Sequence, residues 1–115
     1  MSLAVLMIVL TLGADDRLDA AFVETDNLAN CEDRAEVVRG IITGSAEIEA
    51  IICRETAQAF DPFMHGVEDA DAPRHPFLIR EDGSHAEIVR VSTCPEARPA
   101  PGEYCATSLQ DMLAE

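Results

Sequence analysis

The sequence contains no lysine and no tryptophan, and it has one tyrosine, Tyr104. Without lysine there is no side-chain amine to form a Schiff base and no P-loop lysine to hold phosphate. With four phenylalanines as the other aromatics, the core has to be built mainly from aliphatic side chains. All eight basic residues are arginine, set against 22 acidic ones, so the formal net charge is -14. A basic stripe suited to phosphate backbones is missing, which argues against nucleic acid. The same field repels anionic lipid heads and favours a basic protein or a cationic ligand as partner. Gly-x-Ser-x-Gly, Ser-x-x-Lys and His-Glu-x-x-His, the common nucleophile and zinc-protease patterns, are all absent.

No apolar run approaches the roughly 20 residues of a membrane-spanning helix. The longest is residues 3–12, LAVLMIVLTL. Its length suits the apolar core of a signal peptide, about 7–15 residues. Leu12-Gly13-Ala14 offers small residues for cleavage, and the charged Asp15-Asp16-Arg17 follows, although no arginine precedes the run. Residues 1–14 therefore read as a signal peptide, with a first core strand as the alternative, because strands buried on both faces are also continuous apolar runs. The first reading places the protein in the periplasm or outside the cell, with no stable membrane insertion after processing. The second leaves it in the cytoplasm. In either case residues 15–115 make a single small globular domain. Neither an internal repeat nor a second domain is evident.

The four cysteines, Cys31, Cys53, Cys94 and Cys105, read as a disulfide framework in so short an exported chain. Of the three possible pairings, Cys31–Cys53 with Cys94–Cys105 is favoured, because each pair brackets one compact segment. Each bridge would contribute about 3 kcal/mol by loop entropy.

Patterning predicts an α+β fold, with two or three helices packed on a small antiparallel sheet. Residues 15–30 carry a rough apolar stripe and an acidic start suited to a helix. Residues 33–43 repeat Val37, Val38, Ile41 and Ile42 at helical spacing, which marks them as a core face. Residues 45–60 place Ile48, Ile51, Ile52 and Phe60 on one helical face behind a Ser45 cap. The clearest β feature is a hairpin at residues 77–93, turning at Asp82-Gly83. On its second strand Val89 and Val91 favour the face that includes Glu87 and Thr93. The tail at Leu109 and Met112 suits a short helix.

Chemistry-bearing residues are few. His65, His75 and His85 lie in or beside polar segments rich in carboxylates, which makes them candidate metal ligands. His85-Ala86-Glu87 looks like the His-x-Glu half of the zinc-dependent nucleoside deaminases. The other half of that pattern, Pro-Cys-x-x-Cys, is not met, since Cys94 precedes Pro95 and Cys105 lies far beyond the required spacing. The sequence thus points first to an exported, acidic, non-catalytic binding protein with no cofactor. A periplasmic metal-binding protein and a small enzyme of unknown class are the alternatives.

Overall fold

A computed structural model describes residues 4–12, 17–42, 47–60, 74–94 and 100–113. Along the chain lie β1 (Ala4–Leu12), β2 (Leu18–Thr25), α1 (Leu28–Ile42), β3 (Glu47–Thr56), β4 (His75–Asp82), β5 (His85–Arg90) and β6 (Glu103–Ser108). The strands close into a barrel in the order β1-β2-β6-β4-β5-β3. The architecture is therefore mostly β, with one helix among the described residues, and the α+β expectation of two or three helices on a small sheet is corrected.

Burial on two faces explains why the pattern misled. In β1, Leu6, Ile8 and Leu10 fill the barrel, while Met7 and Val9 pack outward beneath α1. That makes Ala4–Leu12 a continuous apolar run, paired along both edges with β2 and β3. In β2, Ala20 and Phe22 point inward and Ala21 and Val23 lie under the helix. In β3, Ile52 enters the core while Ile51 and Cys53 meet α1. A strand covered on both sides loses its alternation of apolar and polar residues, so β2 and β3 read as helices.

The helix expected at residues 33–43 exists, but it starts earlier, at Leu28, where the Asn27 side chain accepts from the Asn30 N–H. It packs through Leu28, Cys31, Ala35, Val38 and Ile42, a stripe at alternating three- and four-residue spacing. Val37 and Ile41 stay 63% and 72% exposed, against their assignment to the core face. The β4–β5 hairpin forms with its turn at Gly83, whose φ of 61° suits glycine. Its inward face is Ala86 and Ile88, opposite to the expectation from Val89, which is exposed. The C-terminal segment is not helical; past β6, Met112 makes an isolated bridge to Phe60. Phe22 and Phe60 stack at 3.9 Å between centroids, and Phe77 meets both edge-on. These three of the four phenylalanines give an otherwise aliphatic core its largest packing unit.

The strand pairing also reveals an internal relation that the sequence reading missed. Met7 of β1 sits between Val23 and Cys53, and Leu78 of β4 sits between Val89 and Cys105. Laying β1-β2-β3 on β4-β5-β6 by these rungs makes the two parallel contacts, Asp19 with Thr107 and His85 with Glu55, images of each other. Cys53-x-x-Thr56-x-Gln58-x-Phe60 then falls on Cys105-x-x-Ser108-x-Gln110-x-Met112. The bridge between Phe60 and Met112 joins two equivalent positions. The barrel is thus two three-stranded units in a pseudo-two-fold arrangement, and only the first carries α1 among the described residues.

Both disulfides form, Cys31–Cys53 and Cys94–Cys105, and they obey the same relation, since Cys53 and Cys105 are equivalent. The first fastens α1 to β3 and the second fastens the chain after β5 to β6. Paired cysteines of this kind belong to an oxidising, non-cytoplasmic environment. Cys31 and Cys53 are buried, whereas Cys94 and Cys105 are partly exposed. Thiolate attack needs access to sulfur. A mild dithiothreitol titration followed by alkylation and mass mapping should therefore label Cys94 and Cys105 first, with Cys31 and Cys53 yielding only as the barrel opens.

Candidate functional site: an apolar crevice beside the helix

Strands β1 and β2 present a smooth outer face because Ala21 is small and Met7, Val9 and Val23 are apolar. Helix α1 covers this face incompletely. Its edge carrying Arg34, Val38, Ile41 and Ile42 forms the wall of a crevice of about 750 Å³ above that floor. Ala4, Leu6, Phe22, Gln58, Ala59 and Phe60 complete the lining. Exposed Ile41 extends the apolar wall toward solvent. Three polar side chains reach the lining: Glu24 from β2, Arg34 from α1 and Gln58 from the segment after β3. The volume falls within the range of small-molecule sites, which are likewise apolar with a few polar groups.

The pseudo-two-fold relation shows how Gln58 comes to be there. Its equivalent, Gln110, is buried and acts as an extra rung of the barrel. The Gln110 Oε1 accepts from the Phe22 N–H at 2.8 Å, and its Nε2 donates to the Phe22 carbonyl at 2.9 Å. Gln58 makes a shorter-range contact, its Oε1 accepting from the Thr56 hydroxyl at 2.7 Å, and its side chain lines the crevice.

A second polar cluster lies outside the crevice lining. Arg54 is paired with Glu81 and also donates to the Cys53 carbonyl. Tyr104 lies close enough to hydrogen-bond Glu81. The equivalent positions in the other half, Ala106, Leu10 and Ile52, are core residues. The trio therefore replaces apolar core on one side only, and the Arg54 Nε is left buried without a partner among the described residues. Burial pushes the Tyr104 hydroxyl above its ordinary value of 10.0, and the Glu81 charge and hydrogen bond push the same way. Tyr104 is the sole tyrosine and tryptophan is absent, so absorbance near 295 nm reports this one group. Its titration midpoint should lie above 10.0, and Glu81→Gln should move it back toward the ordinary value.

His75 and His85 do not converge. His65 lies outside the described residues. His75 opens β4, with Nδ1 3.9 Å from Asp111, while His85 opens β5, with Nε2 3.8 Å from Glu55. They stand at opposite ends of the hairpin, roughly 20 Å apart at strand rise. Asp111 itself is held below the usual carboxylate range by its hydrogen bond to Arg90. Among the described residues no group of three His, Cys, Asp or Glu side chains is placed to hold a metal ion.

The signals that could have indicated the crevice were faint: alanines at 4, 21 and 59, and two charges that look like ordinary surface residues. No helix among the described residues is long and apolar enough to cross a membrane. Compared with protein-family models, with curated proteins and with solved structures, the chain shows no match.

Proposed function

We propose that this protein is a small, exported, non-catalytic binding protein that holds an apolar ligand in the crevice between α1 and the β1–β2 face. The observation that carries this reading is the crevice itself: about 750 Å³, walled by aliphatic side chains of α1 and floored by Met7, Val9, Ala21 and Val23. Apolar surface left open at that scale is stabilised by whatever fills it, at about 25 cal/mol per Å² removed from water. Export agrees with the paired cysteines. It does not require residues 4–12 to be the segment removed.

A neutral, environment-sensitive dye such as Nile red tests the reading. Saturable binding with a blue-shifted emission is expected for the disulfide-intact protein. Ala21→Trp, which fills the floor, and Ala59→Trp, which adds bulk to the lining, should each weaken binding by tenfold or more with the circular dichroism spectrum unchanged. Absence of saturable binding, or full affinity in both folded variants, would remove the crevice from consideration.

A second reading rests on the charge of -14. The acidic surface would meet a basic protein, and that contact would weaken steeply with salt. Salt-insensitive capture, or none, would discard it.

A further inference from the structure

We infer that the ligand of this crevice is a zwitterionic amphiphile: a single lipid-like molecule with an apolar body and a head carrying one positive and one negative charge. The inference rests on the crevice being a binding site and specifies what that site selects.

Two charged side chains line the crevice, and they come from different elements. Glu24 stands on β2 and Arg34 on α1. Among the described residues neither is within 4.0 Å of an opposite charge, including each other. Arg54, Arg74, Arg80 and Arg90 each hold a carboxylate, whereas Arg34 and, away from the crevice, Arg17 have no ion pair among the described residues. In a chain with so many acids, an arginine with no ion-pair partner beside an apolar cavity marks a place where a negative group is accommodated. Glu24 is one of many acids here without an arginine, and what it adds is its place on the same lining, where it offers a positive group the opposite contact.

The charge balance then discriminates among head groups. A purely anionic head is repelled by Glu24 and by the net charge of -14. A purely cationic head is drawn by the overall field but meets Arg34 at the site. A neutral head gains nothing from either residue and has to displace their water. A dipolar head satisfies both charges at once and, having no net charge, pays no long-range penalty. Selection by one attractive and one repulsive contact for every singly charged competitor is how such sites reach specificity. The Gln58 amide adds a neutral donor to the lining without altering the charge preference.

The test is a head-group series on one chain length: dodecylphosphocholine, dodecanoate, dodecyltrimethylammonium and dodecanol. Each is titrated below its micelle concentration, by displacement of Nile red from the disulfide-intact protein. Dodecylphosphocholine should bind most tightly. Contacts at exposed charges are modest, so its lead over dodecanol should be roughly three- to tenfold. In Glu24→Gln the ratio of phosphocholine to alcohol affinity should fall and dodecanoate should gain on both, held back only by the net charge. In Arg34→Gln the cationic ligand should rise to the front. Equal binding of zwitterion and alcohol, or a singly charged head leading in the unaltered protein, would overturn the head-group inference while leaving the crevice intact. Binding to phosphatidylcholine vesicles without binding to monomers would also overturn it, because a membrane surface would then be the partner. If even dodecanol and the dye fail to bind, the crevice reading falls and takes this inference with it.

Discussion

A chain lacking residues 1–13 is expected to remain unfolded in the absence of denaturant. Strand β1 is the central strand of the first half, bonded along both edges to β2 and β3. Its removal opens the barrel and leaves two long edges unpaired. It also removes Leu6, Ile8 and Leu10 from inside the barrel and Met7 and Val9 from beneath α1. Full burial of each such side chain is worth about 1.5–3 kcal/mol. Five of them match the whole stability of a typical domain, about 5–15 kcal/mol. Far-UV circular dichroism and amide proton dispersion should both show an unfolded chain, and a native-like spectrum would contradict the role given to β1. Cleavage near Gly13 or Ala14 would produce this same truncated chain. The mature protein, weighed intact, should therefore retain residues 4–12.

The second large effect concerns the bridge that fixes the crevice wall. Replacing both Cys31 and Cys53 by serine should cost about 3 kcal/mol, the loop-entropy value for a closed segment of this length. For a domain of this size each kilocalorie corresponds to about 4–8 °C in Tm, so the melting midpoint should fall by roughly 10–25 °C. The variant should also lose dye binding more than it loses secondary structure. Without the bridge, the apolar contacts of α1 with the strands come from Leu28, Ala35, Val38 and Ile42. Replacing Cys94 and Cys105 should lower Tm by a similar amount but leave dye binding in place, because that bridge lies in the other half of the barrel. Equal loss of binding in the two variants would disconnect the crevice from α1.

What the sequence made legible follows from local chemistry. The hairpin stood out because Asp82-Gly83 interrupts two strands that each expose one face. The cysteine pairing was readable because each bridge closes a single segment. Strands β2 and β3 were not readable, since Ala20 with Ala21, Phe22 with Val23, and Ile51 with Ile52 are neighbours buried on opposite faces. Adjacent apolar residues of that kind satisfy a helical stripe as well as a doubly covered strand. The two-fold relation was hidden because the halves share little beyond cysteine, a hydroxyl residue and glutamine at matched spacing. One half also covers its outer face with a helix while the other, among the described residues, leaves Arg80, Glu87 and Val89 in solvent. As for the site, Glu24 and Arg34 acquire meaning only when the fold brings them to one cavity from β2 and α1.

The most direct test of the crevice is an amide chemical-shift titration of the disulfide-intact protein with dodecanol. Saturable shifts should appear on Ala21, Val23, Arg34, Val38, Ala59 and Phe60 and leave Arg54, Glu81 and Tyr104 unmoved. Shifts that never saturate, or that centre on Arg54, Glu81 and Tyr104 instead, would contradict it.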